Sequence, residues 1–167
     1  MSLKFQSLRD LLISELRDLY SAETQLLDAI PNMARATSAP DLRRAFMDHL
    51  DQTRVHVERL EEIFELLGEK PGGETCDAMK GLIKEGAKHA HAGGSDEVRD
   101  AGLIGAAQRI EHYEIAAYGT ARALASRLGE VMAAEILHET LDEESDTDEL
   151  LSSIAEDHVN AEAAAVH

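Results

Sequence analysis

The 167-residue chain has 44% hydrophobic and 29% charged side chains, a globular composition long enough for one domain with a buried core. Its 33 acidic against 16 basic residues give a formal charge of −17, a surface that repels phosphate backbones and anionic lipid and so argues against nucleic acid and membranes as partners. A single cysteine, Cys76, excludes an intrachain disulfide; with no transmembrane run and no apolar leader, the expectation is a soluble, cytoplasmic protein.

Apolar spacing is helical throughout, with no convincing period-two strand. The first predicted helix runs from about Leu8 to Ala36, with Leu12, Leu16, Leu19, Leu26 and Ile30 on one face. Pro31 is expected to kink it or break it locally. After the turn "TSAPD", Pro40 suits the first turn of a second helix, about Asp41 to Leu67, which carries Leu42, Phe46, Leu60, Ile63 and Leu67. Gly68 and "KPGG" stop it. About 27 residues then form a crossover, "GEKPGGETCDAMKGLIKEGAKHAHAGG", holding a short amphipathic helix near Asp77–His89. Ser95 is the expected N-cap of a long helix to Leu128, and Gly129 closes that helix. A last helix spans about Glu130–Val159, and "AEAAAVH" is expected to fray.

Two tight turns, near residues 39 and 129, make two antiparallel hairpins joined by one long crossover. The fold class expected is all-α: one ferritin-like four-helix bundle domain with a short extra helix in the crossover.

Polar residues interrupt every core line. Glu23 lies between Leu19 and Leu26; His49, Thr53 and His56 continue the Leu42–Phe46–Leu60 line; Glu111 and Glu114 sit with Ala107, Tyr118 and Ala121. On the last helix, Leu137–Leu141–Leu151 passes through Glu144 and Asp148. In each antiparallel hairpin, residues equidistant from the turn share a height. Glu23 then falls opposite His56, Glu111 opposite Asp148, and Glu114 opposite Ser145, beside Glu144. Five carboxylates and one imidazole thus collect in one layer.

An unpaired buried carboxylate costs several kcal/mol or takes up a proton. No Lys or Arg falls on these lines near that level, so a pair of metal ions is the economical neutralisation. Carboxylates with a histidine suit iron or manganese better than zinc. His49 reads as a satisfied core or interface histidine rather than a ligand; Tyr20, Tyr113 and Tyr118 are candidate donors to the carboxylates, with packing the better reading of each. Glu135-x-x-His138 has ligand spacing but points off the core line; "HAHAGG" reads as solvated, and Cys76 has no partner for nucleophile chemistry.

The stretches "ELRDLYSAETQLLDAIPNMARA", "RLEEIFELLGEKP", "DAGLIGAAQRIEHYEIAAYGTARALASRLG" and "ETLDEESDTDELL" resemble the bacterial YciE/YciF-type ferritin-like family across nearly the whole chain. The resemblance implies a metal-binding, stress-associated ferritin-like bundle that forms a homodimer. Position by position it supports Glu23, His56, Glu111, Glu114, Glu144 and Asp148 as metal ligands. Relatives carry an acidic pair where this chain has Asp51-Gln52, and Gln52 brings no bridging charge. Two functions follow as expectations. One is a dinuclear iron or manganese protein engaged in oxygen or peroxide chemistry or in metal handling. The other is a non-catalytic dimeric scaffold whose polar layer is a protonated hydrogen-bond network.

Overall fold

Six α-helices and one π-turn follow one another in the computed structural model, which describes residues 5–166. Helix α1 (Leu8–Ala36) starts at Ser7. The Ser7 hydroxyl accepts from the Asp10 amide while the Asp10 carboxylate accepts from the Ser7 amide, so two otherwise unpaired donors are satisfied reciprocally. The helix continues through Pro31 without the expected break. Ala29, Ile30, Met33 and Ala34 are all buried around it, and this packing outweighs one lost backbone bond.

Helix α2 (Pro40–Leu67) opens on Pro40 and ends at Gly68, whose φ of 68° is the left-handed region that favours glycine. Its N-cap, Ala39, has no side chain able to cap. Asp100 supplies the acceptor from another helix: its buried carboxylate takes the Ser38 amide at 3.0 Å and the Ala39 amide at 2.7 Å. A buried carboxylate is thus satisfied by backbone donors and by the positive end of a helix.

Helix α3 (Asp77–Ala90) crosses α1 and α4, burying Met79 and half-burying Leu82 and Ile83. The crossing with α4 is close: a Cβ at Gly102 would come within 2.7 Å of His89 Nδ1. Helix α4 (Asp96–Leu128) has Ser95 as its N-cap, accepting from the Val98 amide, and Gly129 as its C-cap.

Helix α5 (Val131–Ile154) runs into a π-turn (Ala155–Val159) and then α6 (Asn160–Ala164). The tail expected to fray is therefore helical through Ala164. The wider π-turn lets Ile154, Ala155 and Val159 all face inward, and it leaves His158 outside, 2.8 Å from Asp41.

α1 packs on α2 and on α4, and α5 packs on α4 and on α2, closing a four-helix bundle. Two apolar clusters fill it. One surrounds the α1–α2 turn, with Leu26, Ile30, Leu42, Phe46, Leu103 and Leu151. The other surrounds the α4–α5 turn, with Leu12, Leu16, Leu19, Leu60, Phe64 and Leu137. On each of the four long helices the polar residues fall between the two. Among the described residues, no helix is long and apolar enough to cross a membrane.

Candidate metal centre

Each long helix presents its polar residues inward because the neighbouring turns are anchored by large buried side chains. Leu19 and Leu26 flank Glu23; Phe46 and Leu60 flank His49 and His56; Ile110 and Tyr118 flank Glu111 and Glu114; Leu137 and Leu151 flank Glu144. Glu23, His56, Glu114 and Glu144 are completely buried, and Glu111 and His49 nearly so.

Two groups of ligand-type atoms form around Glu144. In one, Glu23, His56 and Glu144 each offer an atom within 4.8 Å of the others; in the second, His49, Glu111, Glu114 and Glu144 do the same. Groups of ligand-type atoms this close could each hold a metal ion. Glu144 belongs to both groups: its Oε1 lies 3.1 Å from His56 Nδ1 and its Oε2 lies 4.0 Å from His49 Nε2.

His56 Nδ1 lies 3.1 Å from Glu144 Oε1 and 3.3 Å from Glu23 Oε1, and His49 Nε2 lies 3.4 Å from Glu111 Oε1. These contacts are close but not aligned as hydrogen bonds. Among the described residues, eleven buried side-chain nitrogen or oxygen atoms lack a hydrogen-bond partner. Nine of them belong to these six residues: Glu23 Oε2, both His49 nitrogens, His56 Nδ1, Glu111 Oε2 and both carboxylate oxygens of Glu114 and Glu144. Buried polar atoms are otherwise paired. A cluster of unpaired carboxylate oxygens and imidazole nitrogens fits hard-to-borderline metal ions such as iron or manganese.

Residues 7–164 match a family described as a domain of unknown function, DUF892. The protein YciF of Escherichia coli is 44% identical over 162 residues, covering 96% of this chain and 98% of its own. The chain belongs to this family. The crystal structure of that Escherichia coli stress protein superposes with a TM-score of 0.90, covering 93% of this chain and 99% of the other. YcfI from Rhodopseudomonas palustris, described as a structural protein, is 39% identical with a TM-score of 0.88 over 92% of this chain and 98% of its own. A Xanthomonas campestris protein at 22% identity and TM-score 0.73 shares the fold, over 95% of each chain. The ferritin-like bundle read from the sequence is the fold of this family.

Within that family fold, five of the six residues singled out from the sequence meet: Glu23, His56, Glu111, Glu114 and Glu144. Asp148 does not join them. Its carboxylate accepts from Gln108 Nε2 at 3.1 Å and lies 3.1 Å from the exposed His112 Nε2. The buried line of α5 runs Leu137–Thr140–Glu144–Thr147–Leu151, alternating steps of three and four, so a further step of four from Glu144 leaves the core. Thr147 takes the place expected of Asp148.

His49, read from the sequence as packing, faces Glu111 with both nitrogens unpaired. The rejected pair stays out: Glu135 is exposed, and His138 lies 3.5 Å from Asp142 on the surface. Gln52 reaches Thr147 Oγ1 at 3.5 Å.

Further side chains surround the layer, and one of the three tyrosines weighed as carboxylate donors reaches it. Tyr118 donates its hydroxyl to Glu23 Oε1 at 2.6 Å, inside the core. Glu143 lies 2.7 Å from His56 Nε2, and Arg59 forks onto the same carboxylate. Tyr113, beside the cluster on α4, instead donates to Asp18 and touches the buried Cys76 sulfur at 3.0 Å.

Burial pushes the carboxyls of Glu111 and Glu114 far above the ordinary range, and the charge on Glu144 adds to it. Burial likewise raises Glu23, although His56 opposes it. At Glu144 the upward push of burial is outweighed by His56, with His49 nearby, and its carboxyl is held below the usual range. For His56, burial works downward, yet Glu144 and Glu23 carry its pKa up to about 10. Without metal, burial favours the protonated carboxyls of Glu111 and Glu114, while Glu144 and Glu23 favour a proton on His56.

Proposed function

We propose that this protein holds two metal ions, iron or manganese, in a carboxylate-bridged dinuclear site centred on Glu144. The nine unpaired buried atoms facing one another from four helices carry this reading. Glu23 and His56 would serve one ion, and His49, Glu111 and Glu114 the other. Two such ions can share the redox change when oxygen or peroxide is reduced. The chain's own part is to exclude water with two flanking apolar clusters, to hold Glu23 through Tyr118, and to release protons from Glu111, Glu114 and His56 as metal enters.

We place this activity in the cytoplasm, in a homodimer, as part of a stress response. The Escherichia coli relative's description as a stress protein and the low cysteine count support that setting.

The second reading is a metal-free dimeric scaffold in which protons alone neutralise the layer. The Rhodopseudomonas palustris relative, described as structural, favours it. Elemental analysis separates the two. Full-length protein purified without chelator and equilibrated anaerobically with ferrous iron is expected to retain about two equivalents, the number a bridged bundle site holds. Glu144→Ala is expected to retain none. A protein that stays metal-free after loading contradicts the first reading. Consumption of peroxide by the loaded form then distinguishes an enzyme from a metal store.

A further inference from the structure

The two histidines of the layer are held very differently. His56 Nε2 lies 2.7 Å from Glu143 Oε2, and Arg59 grips the same carboxylate with Nη1 at 2.7 Å and Nη2 at 3.0 Å. A carboxylate engaged by an arginine fork only accepts hydrogen bonds, so His56 Nε2 carries the hydrogen and donates it. The lone pair free for a metal then belongs to Nδ1, the nitrogen that faces Glu23 and Glu144. Arg59 stands on α2 and Glu143 on α5, so the clamp also ties the two helices that carry His56 and Glu144. Thr140 Oγ1, 3.3 Å from Arg59 Nη1, steadies the guanidinium.

At the other end nothing comparable exists. Among the described residues, neither nitrogen of His49 and neither oxygen of Glu114 has a hydrogen-bond partner. At the His56 end, Glu23 is held by Tyr118 as well. Ligands fixed before binding lose less side-chain freedom when the metal arrives, and partners behind a ligating histidine raise affinity for the same reason.

We propose that Glu143 and Arg59 are positioning residues that orient His56 to bind metal through Nδ1, making Glu23–His56–Glu144 the pre-ordered one of the two metal positions. This rests on the dinuclear reading above. It assigns work to two partly exposed residues that would offer no ligand themselves.

The test uses the metal-free full-length protein titrated with zinc(II), a diamagnetic probe, against a competing chelator. In the parent protein zinc binds in two unequal steps, and nitrogen NMR of His56 shows Nδ1 on the metal with Nε2 still protonated. Glu143→Leu and Arg59→Met weaken one step by about 10- to 100-fold and leave the other nearly unchanged. Glu143→Gln, whose amide oxygen still accepts from Nε2, recovers part of the loss. Zinc on Nε2, an unaltered stronger step in both variants, or equal loss at both steps would overturn the proposal.

If the parent protein binds no zinc, the dinuclear reading fails separately. The clamp is then judged on the metal-free protein, where a slowly exchanging low-field Nε2 proton of His56 is expected and is lost in Glu143→Leu. Its absence from the parent protein overturns the clamp itself.

Discussion

At the end of the bundle near the α4–α5 turn, Leu12, Leu16, Leu19, Leu60, Phe64 and Leu137 pack against one another with no polar atom among their side chains. One helical turn further along, these three helices (α1, α2 and α5) and α4 bring together four carboxylates and two imidazoles at similar burial. The apolar layer lowers the free energy of folding through the area it removes from water. The polar layer raises it unless each charge is neutralised, because unpaired buried ions and polar atoms are costly. Similar burial in the two layers thus has opposite energetic signs. The cost of the polar layer therefore depends on what neutralises it, protons or metal.

Substitutions sharpen this contrast. In the apolar layer, Leu19→Ala is expected to lower stability by about 2–5 kcal/mol, since Leu19 is wholly buried, while metal stoichiometry is retained. Chemical denaturation alongside elemental analysis checks both halves of that statement. Asp100→Ala, a buried acid already satisfied by the Ser38 and Ala39 amides, should cost about 1–3 kcal/mol and also spare metal. Glu111→Gln combined with Glu114→Gln should behave in the reverse way. Stability of the metal-free protein at neutral pH is unchanged or higher, and metal retention falls sharply. Lower stability without a change in metal would place these acids among ordinary structural groups.

The pH dependence separates the layers without mutation. Below pH 6.5 both folded and unfolded chains carry the His56 proton, and its stabilising contribution is complete. Between 6.5 and about 10 only the folded chain keeps it, so stability of the metal-free protein falls as pH rises through that window. Glu111 and Glu114 act in the same direction from their ordinary value of 4.5 upward. Metal displaces these protons, so the loaded protein should not show this decline, and uptake should release protons. Thermal unfolding across pH, with and without metal, measures the difference; parallel curves would refute it.

The layer was legible in the sequence because two tight turns fix the heights of residues on paired helices. Glu23 against His56 and Glu111 against the middle of α5 required only counting from a turn. Sideways position was harder to read. Leu137, Thr140, Glu144, Thr147 and Leu151 form the buried line of α5, and Asp148 falls half-buried at its edge, where spacing alone does not separate it from Thr147. His49 in an apolar line has the pattern of a core histidine, and only its unpaired nitrogens beside Glu111 mark it otherwise. Arg59 and Glu143 lie off the core lines and act through their tips, which periodicity does not register. The π-turn leaves no period of its own in five residues.

Metal held on both sides of Glu144 is expected to complete this layer. Anomalous diffraction from crystals of the full-length protein soaked in manganese(II) tests it most directly. Two peaks are expected, one between Glu144, Glu23 and His56 Nδ1, the other between Glu144, Glu111, Glu114 and His49. No peak in the layer, or manganese bound only at surface groups such as His112 and Asp148, would contradict it.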